Sequence, residues 1–270
     1  MFLPAIVKSP ILKLFHATVR ANLVLRPRDY QYVFVLAHMR SGSTVLSHIL
    51  VSHPGFDGAG ETHTFYKTPE DMGKLVPRTC ELLRKLQVSS KYVVDKITMD
   101  QYLSDEILAL LPIYKGIILF REPEAALKSI VDFFKWPQEM ALDHYVTRLA
   151  TLARYGRVLC NRAMVVEYDE LIEQPREVLT ALTRFFDIDP PFKEVYAKTK
   201  VTGKMGDPSS NILTGKIVRT PEHKLQINTD VLAEAVRAVQ KCRHELLSAG
   251  VLPAVDHAFH DAKIRAKSSP

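Results

Sequence analysis

Four short apolar runs recur along the chain, and a helical pattern follows each of them. The runs are 32–37 (YVFVLA), 91–95 (KYVVD), 116–120 (GIILF) and 163–168 (AMVVEY). None alternates apolar with polar positions, which is typical of parallel strands buried on both faces of a sheet. The pattern predicts an α/β fold with a central parallel sheet of four or five strands flanked by helices.

The remaining segments suggest how the chain is organised around this sheet. Residues 199–220 are rich in Gly, Ser, Thr and Lys and lack periodicity, which favours a lid or binding loop over simple disorder. We predict an N-terminal amphipathic helical segment at 1–30 and an α/β domain at 31–256 that includes a lid at 199–220. A flexible tail is predicted at 257–270.

The N-terminal segment 11–25 has an apolar side and a basic side. The apolar side carries Leu12, Phe15, Val19 and Leu23, and the basic side carries Lys13, His16 and Arg20. Packing against the chain's own domain is the favoured interpretation. Peripheral membrane contact and a transit peptide are the alternatives. No apolar stretch reaches the roughly 18 residues that a membrane span requires.

The charge and cysteine content of the chain narrow the kind of ligand and the cellular compartment that we expect. The 270 residues carry a net charge of +6 with a pI near 9.1, which favours an anionic ligand but is too small an excess to predict nucleic acid. Cys80, Cys160 and Cys242 form no CxxC pair, so we expect reduced thiols and a cytoplasmic location. The ten histidines show no metal-ligand spacing, and no metal site is predicted. Nothing indicates the oligomeric state.

The segment LAHMRSGST at 36–44 has the outline of a phosphate-binding loop. A turn between a buried strand and a helix directs several backbone N–H groups at one point, where the helix dipole adds positive potential. Gly42 permits close backbone approach, Ser41, Ser43 and Thr44 offer hydroxyl donors, and Arg40 supplies a charge. The loop therefore predicts an anion site, most simply for a phosphate.

Two absences argue against a magnesium-dependent nucleotide triphosphatase. Gly42 is followed by Ser-Thr rather than by the Lys-Ser/Thr of a Walker loop. After the run GIILF, where a magnesium-positioning aspartate could stand, the chain has Arg121. A small-molecule kinase built on a degenerate loop stays an alternative that would need ATP and magnesium.

Arg121 and Ser129 form a second candidate anion site. They are eight residues apart, at the end of a predicted strand and on the helix after it. Two helical turns bring the serine back near the inner face of that helix, and Pro123 suits its first turn. An arginine and a hydroxyl at the carboxyl edge of a parallel sheet would bind a second phosphate. The alternative is a solvated arginine and a surface serine.

At this point the sequence resembles the sulfotransferases that use 3′-phosphoadenosine-5′-phosphosulfate (PAPS). MRSGSTVLSHIL is similar to their 5′-phosphosulfate loop, FREPEAALKSI to their 3′-phosphate motif, and YDELIEQPREVLTALTRFFDID to the segment after the next strand. The resemblance runs from about residue 31 to 190 and implies a P-loop-like fold and a PAPS donor without a metal. The donor-binding residues would then be Arg40, Ser41, Gly42, Ser43, Thr44, Arg121, Ser129 and Tyr168. The resemblance does not cover the lid, for which we predict separately that Lys204, Lys216 and Arg219 close over the anionic donor.

The resemblance also bears on the catalytic residues. Aryl-type members carry a histidine two residues after a lysine, but here Lys96 is followed by Thr98 at that position. Another branch, including bacterial carbohydrate and tyrosylprotein sulfotransferases, has a glutamate in a GE context, which matches Glu61 in GAGETHTF. The catalytic candidates are therefore Glu61, with His63 as the rival base, and Lys96 and Arg40 acting on the transferring group.

The sequence thus predicts transfer of a sulfuryl group from PAPS to a hydroxyl or amine of a carbohydrate, lipid or small metabolite. The alternative is a catalytically inactive phosphonucleotide-binding module that serves in regulation or interaction. Phe65, Tyr66, Phe133, Phe134 and Trp136 are candidates for an acceptor pocket, although such aromatics are as often core residues.

Overall fold

The computed structural model describes residues 5–199, 202–203, 210–219 and 225–255. The predicted tail 257–270 and residues 200–201, 204–209 and 220 of the predicted lid lie outside the described residues. Nine α-helices and six strands are present in the described part. The strands are β1 Gln31–Ala37, β2 Phe56–Gly58, β3 Tyr92–Ile97, β4 Ile113–Phe120, β5 Ala163–Glu167 and β6 Leu252–Pro253.

The first helix precedes β1, and the other helices lie between successive strands. They are α1 Ala5–Leu25, α2 Ser43–Ser52, α3 Leu75–Leu83, α4 Asp105–Leu110, α5 Pro123–Phe134, α6 Gln138–Leu159, α7 Tyr168–Glu173, α8 Pro175–Phe186 and α9 Thr229–Ser248. Short 3₁₀ helices lie at 69–74, 100–102, 160–162 and 210–214. Strand β1 is central in the sheet order β2-β3-β1-β4-β5-β6, and all the pairings are parallel.

Alternate residues of the central strand build two separate cores. Phe34 and Leu36 belong to a core cluster on one face of the sheet, and Val33 and Val35 belong to a cluster on the other face. The side-chain period of two along a strand sends neighbours to opposite faces. Because helices cover both faces, β1 is apolar at every position from Tyr32 to Ala37, which explains the uninterrupted run YVFVLA.

The predicted α/β fold with a parallel sheet is confirmed. The sheet has six strands rather than four or five. The two additional strands, β2 and β6, are three and two residues long. Such short edge strands leave no periodicity that a sequence pattern can detect. The domain boundaries predicted above stay a prediction.

Helix α1 packs against the rest of the chain with one face. Val19 belongs to the core, and Phe15 and Leu23 pack against it. Asn22 donates to the carbonyl of Leu86. The favoured interpretation of this segment is therefore correct, although Leu12, assigned to the apolar side, is exposed. None of the described helices has the length and apolar character that crossing a membrane requires.

Candidate functional site

The predicted site residues meet where the carboxyl ends of five strands come together. The loop after β1 carries Arg40, Glu61 lies just beyond β2, Lys96 stands at the end of β3, Arg121 follows β4, and Tyr168 follows β5. In a parallel sheet these ends share one edge, and chain order reverses around β1, which is where such folds bind ligands. One cleft at this edge is lined by Met39, Arg40, Gly42, Ser43, Thr44, Val45, Glu61, Lys96, Thr98, Met99, Arg121, Ser129, Phe133, Phe134, Tyr168, Tyr196, Asn211, Lys216 and Val218.

The loop after β1 is held in a tight conformation by two residues with positive φ. Arg40 has φ 63° and Gly42 has φ 85°. A Cβ atom at Gly42 would lie 2.1 Å from Cδ2 of Tyr168, so the ring of Tyr168 packs directly on the glycine. Glycine is needed here both for its backbone conformation and for this contact. Helix α2 then begins at Ser43 without a side-chain cap and without an acidic residue in its first turn, which leaves its N-terminus suited to an anion.

His38 joins the loop after β1 to the loop after β4. Its Nδ1–H donates to the carbonyl of Met39 across 2.6 Å, and its Nε2 accepts from the backbone N–H of Arg121 at 3.1 Å. Both contacts together require the neutral ring. His38 is fully buried, and burial lowers its pKa to about 3. The two candidate phosphate loops are therefore fixed to each other by a histidine that cannot readily accept a proton.

The two candidate anion motifs also meet through side chains. Nε of Arg40 donates to Oγ of Ser129 at 3.1 Å, and the Arg40 guanidinium lies over the ring of Phe133 at 4.7 Å. The Arg121 guanidinium lies over the ring of Tyr168, also at 4.7 Å. Stacking on these aromatic rings holds each guanidinium in a fixed plane at the mouth of its loop.

Glu61, Lys96 and Thr98 form a compact cluster. Oγ1 of Thr98 donates to Oε1 of Glu61 at 2.6 Å, and Nζ of Lys96 lies 3.5 Å from the same oxygen. Lys96 also donates to Oγ1 of Thr44 at 3.0 Å. The lysine side chain is 3% exposed and that of Glu61 is 17% exposed. Lys96 therefore links the loop after β1 to the candidate base.

A buried carboxylate on β3 fixes the segment that carries Glu61. Asp95 accepts from the backbone N–H of Thr62 at 3.0 Å, from its hydroxyl at 2.8 Å and from the hydroxyl of Tyr66 at 2.8 Å. Asp95 is 1% exposed, and burial raises its pKa to about 6. Since Thr62 follows Glu61 and Asp95 precedes Lys96, these hydrogen bonds hold the Glu61–Lys96 pair through its sequence neighbours.

Arg148 of α6 ties two strand ends together beneath the cleft. Its Nε donates to the carbonyl of Ala37 and its Nη2 to that of Ile97, both at 2.9 Å, and its Nη1 pairs with Asp100. The side chain is 1% exposed. A buried arginine with an acceptor for each of its three side-chain nitrogens fixes the spacing between the ends of β1 and β3, and with it the spacing between the loop after β1 and Lys96.

The C-terminal part of the chain contributes the other wall of the cleft. Lys216 lines the cleft as predicted for the lid, together with Tyr196, Asn211 and Val218. Lys204 lies outside the described residues, and Arg219 pairs with Glu173 of α7. The wall is anchored on α2 by His48, whose Nε2 lies 2.7 Å from the hydroxyl of Thr202. Whether residues 199–220 close over a ligand stays a prediction.

Two predicted residues stand apart from the cleft. His63 is exposed, and its Nδ1 lies 3.0 Å from the hydroxyl of Tyr102. Ser41 is fully buried, and its Oγ has no hydrogen-bond partner among the described residues. Of the aromatic candidates for an acceptor pocket, Phe133 and Phe134 line the cleft, whereas Tyr66 is a buried core residue.

Four residues that matter to this geometry were not predicted: His38, Asp95, Thr98 and Arg148. Thr98 has a detectable signal, because it occupies the strand-end position at which a histidine was sought, and a hydroxyl there can hold a carboxylate. His38 is a polar residue at a strand end, Asp95 is an acid within an apolar run, and Arg148 is an arginine within an amphipathic helix. Residues of these kinds occur in many structures without fixing the geometry of a site.

The charge of the cleft suits a dianionic or more highly charged ligand. Among the described residues of the lining, Arg40, Lys96, Arg121 and Lys216 are the cations and Glu61 is the one carboxylate. Hydroxyl groups of Ser43, Thr44 and Ser129 lie among them. Within the described residues, no group of three or more His, Cys, Asp or Glu side chains could hold a metal ion. This donor set can bind phosphate or sulfate groups and offers one proton acceptor beside them.

Comparison with known proteins agrees with this chemistry. A model of the sulfotransferase family matches residues 73–194, a span that contains Lys96, Arg121, Ser129 and Tyr168 but neither the loop 40–44 nor Glu61. The family-level resemblance is thereby confirmed, and the glutamate-containing branch stays a prediction. No curated protein matches the chain.

Two solved structures are similar at low identity. One is a sulfotransferase from Alicyclobacillus acidocaldarius, with 14% identity, a TM-score of 0.48, and coverage of 82% of this chain and 95% of that one. The other is mouse sulfotransferase SULT7A1 complexed with PAP, with 13% identity, a TM-score of 0.40, and coverage of 82% of this chain and 68% of that one.

Proposed function

We propose that the chain transfers the sulfuryl group of PAPS to a hydroxyl or amine acceptor, and the match of a sulfotransferase-family model to residues 73–194 supports this reaction class. One observation carries the proposal. Both candidate anion motifs and the Glu61–Lys96 pair line the same cleft. A donor with a phosphosulfate and a separate phosphate needs two such anion sites next to a proton acceptor.

The 5′-phosphosulfate would lie at the N-terminus of α2. The residues that would hold it are Arg40, Ser41, Gly42, Ser43 and Thr44, through backbone N–H groups, hydroxyls and one guanidinium. Ser41 is buried, so its contribution would come from its backbone. Two features suit this position to a phosphosulfate. The lining is cationic and rich in hydroxyl groups, and the N-terminus of α2 has neither a side-chain cap nor an acidic residue in its first turn.

The 3′-phosphate would be held by Arg121 and Ser129. Arg121 lies against Tyr168, which fixes the guanidinium at the end of β4. The contact from Arg40 to Ser129 orients the serine hydroxyl next to a second guanidinium. Lys216 lies on the opposite wall of the cleft, where it would neutralise part of the donor's charge.

The transfer itself would be an in-line displacement at sulfur. The acceptor oxygen or nitrogen attacks the sulfur, the bond between sulfur and the bridging oxygen breaks, and adenosine 3′,5′-bisphosphate leaves with the electron pair. Lys96 would stabilise the charge that develops on the bridging oxygen, since its ammonium group already contacts Thr44 of the phosphosulfate loop. Positioning and charge stabilisation are the main catalytic tasks in such transfers.

Glu61 is the group that would take the acceptor's proton. It lines the cleft, whereas the rival base His63 is exposed and does not line it. Thr98 and Lys96 both contact Oε1 of Glu61, and Oε2 accepts no hydrogen bond from the described residues. The anchored oxygen fixes the carboxylate, and the other oxygen is available to a proton.

The acceptor would approach over the less polar part of the cleft. Met39, Val45, Met99, Phe133 and Phe134 contribute apolar surface to the lining. This surface suits a ring or an aliphatic group attached to the reacting hydroxyl or amine, as found in carbohydrates, lipids and many small metabolites. A cytoplasmic location remains a prediction from the cysteine content.

A two-part experiment tests the proposal against its alternatives. Thermal unfolding is followed with adenosine 3′,5′-bisphosphate, 5′-AMP, NADPH and ATP with magnesium. A ligand at 100 times its Kd adds about 2.7 kcal/mol to stability, and the bisphosphate should stabilise most. Preference for ATP with magnesium would contradict the proposal and favour a kinase. Transfer of labelled sulfate from PAPS to a panel of sugars, lipids and phenols then separates an enzyme from an inactive binding module.

A further inference from the structure

The outer face of α1 is apolar although it faces solvent. Leu14 is 69% exposed, and Val24 and Leu25 are each 77% exposed. Ala17 and Ala21 are exposed between them, and the spacing of three and four residues places all five along one side of the helix. Four of the fourteen large exposed hydrophobic residues of the described chain lie in this single helix, counting Leu12. Such a concentration marks an interaction surface.

The packing of α1 explains neither the position nor the composition of this stripe. The helix already uses Phe15, Val19 and Leu23 to contact the core, on its opposite side. A helix that only packs on its own domain needs one apolar face, and its other face is normally polar. We define the outer stripe as Leu14, Ala17, Ala21, Val24 and Leu25.

The charged side chains that α1 itself places beside the stripe are all positive. Residues 1–28 contain no aspartate or glutamate. Lys13 and Arg20 are exposed beside the stripe, and Arg26 is exposed directly after the helix. Lys13 and Arg20 are seven residues apart, so they lie on the same side of the helix, about two turns from each other. An apolar stripe with a one-sided basic border fits a surface that is apolar inside and anionic outside.

From this arrangement we propose that α1 docks the protein on an anionic phospholipid surface. The helix lies in the plane of the interface, the outer stripe enters the boundary between headgroups and acyl chains, and Lys13, Arg20 and Arg26 contact the anionic headgroups. The inner face stays on the core, so docking requires no unfolding. The helix does not have the character of a membrane span, which agrees with binding on the surface.

Charge distinguishes this occupant from a second copy of the chain. Two α1 helices packed through their outer stripes would bring basic side chains toward one another, and residues 1–28 offer no acid to pair with them. An anionic bilayer satisfies the apolar and the basic groups together. The inference does not depend on the catalytic assignment, because none of the α1 residues whose side chains are described lines the cleft.

Co-sedimentation with vesicles tests the proposal on the full chain. The protein is mixed at low salt with vesicles of phosphatidylcholine alone or of phosphatidylcholine and phosphatidylserine at about 3:1. We expect sedimentation with the mixed vesicles. Leu14→Ser combined with Leu25→Ser should weaken the partition coefficient more than about tenfold. Lys13→Gln combined with Arg20→Gln should weaken it about 25-fold, because each basic side chain near the surface is worth about fivefold.

Matched double variants control for general changes in hydrophobicity and charge. Leu110→Ser with Leu247→Ser removes two exposed leucines elsewhere, and Arg176→Gln with Lys241→Gln removes two exposed charges elsewhere. Both should partition like the wild type, and all variants should keep the wild-type melting temperature. The proposal is overturned by equal binding to neutral vesicles, by no binding, or by α1 variants that bind like wild type. Sedimentation as a dimer that the stripe variants convert to a monomer would also overturn it.

Discussion

Thr98 donates its hydroxyl to Oε1 of Glu61 at 2.6 Å. The threonine stands at the end of β3, two residues after Lys96, and the glutamate follows β2, so the contact joins the ends of two adjacent strands. Lys96 lies 3.5 Å from the same oxygen. Because Thr98 and Lys96 both contact Oε1, the carboxylate group of Glu61 cannot rotate freely. Its second oxygen, Oε2, therefore keeps one orientation.

We therefore predict a positioning role for Thr98. Thr98→Val keeps the shape and removes the hydrogen bond, and a hydrogen bond to a charged group is worth about 1.5–3 kcal/mol. We expect kcat to fall about tenfold or more while the Kd for adenosine 3′,5′-bisphosphate is unchanged. Thr98→Ser should restore most of the turnover. A purely structural role would instead lower the melting temperature and donor binding in Thr98→Val without rescue by serine.

The second prediction concerns the base. Glu61→Gln keeps the size of the side chain and its contact with Thr98 but removes a proton acceptor, a role worth about 10²–10⁴-fold in rate. Turnover should fall by that factor. Donor binding should be equal or tighter, because a carboxylate beside a phosphosulfate repels it. His63→Ala is the control and should keep near-normal turnover. Normal turnover in Glu61→Gln would place the base elsewhere.

The third prediction concerns discrimination of the 3′-phosphate. Arg121→Ala should weaken binding of adenosine 3′,5′-bisphosphate by roughly 1.5–3 kcal/mol and leave 5′-AMP binding nearly unchanged, as measured by calorimetry. Ser129→Ala should act in the same direction by about 1 kcal/mol. Arg176→Ala, at an exposed arginine that does not line the cleft, is the control. A parallel loss of affinity for both nucleotides would contradict the assignment of this phosphate.

The fourth prediction concerns the contact of Gly42 with Tyr168. Gly42→Ala places a Cβ 2.1 Å from the ring at a φ of +85°. We expect it to lower the free energy of unfolding by more than about 1 kcal/mol and to weaken nucleotide binding. Gly60→Ala is the matched control, since Gly60 has φ +80° with open space around it. Gly60→Ala therefore measures only the free energy lost by placing a Cβ on a residue with positive φ. An equal loss of unfolding free energy in both variants would rule out the contact with the Tyr168 ring as a cause.

The fifth prediction concerns acid stability. Burial holds the pKa of His38 at about 3 in the folded protein, below its ordinary value of 6.5. The unfolded chain therefore binds more protons between these values, and stability is lost as pH falls below 6.5. His38→Gln keeps an acceptor for the N–H of Arg121 without a titrating ring. It should reduce the pH slope by up to about 1.4 kcal/mol per pH unit in this window.

The measurement is chemical denaturation of both proteins at intervals from pH 4.5 to 7. Asp95, whose pKa burial raises to about 6, acts in the opposite direction, because its protonated form is the one that folding favours. Both proteins contain Asp95, so the difference between their slopes isolates His38. Identical slopes would show that protonation of His38 does not limit stability in acid.

The sequence by itself determined the parallel sheet and the chemistry at its edge. Runs such as YVFVLA are apolar at every position because both faces of the sheet are covered, and that pattern is local. The loop 40–44 and the Arg121–Ser129 pair were likewise detectable, since each motif lies within a few residues of a strand end. The strands β2 and β6 were not, because two or three residues carry no period.

Only the tertiary structure decided which of these residues meet. Thr98 and Glu61 are 37 residues apart in the chain, and Arg40 and Ser129 are 89 apart, so their contacts depend on the strand order. The same holds for His38, whose ring connects two loops. Periodicity identified the side of α1 that packs on the core through Phe15, Val19 and Leu23, whereas only the structure shows that the opposite, also apolar, side stays exposed. Local pattern reflects burial and turn geometry, whereas contacts between strand ends are set by the topology of the sheet.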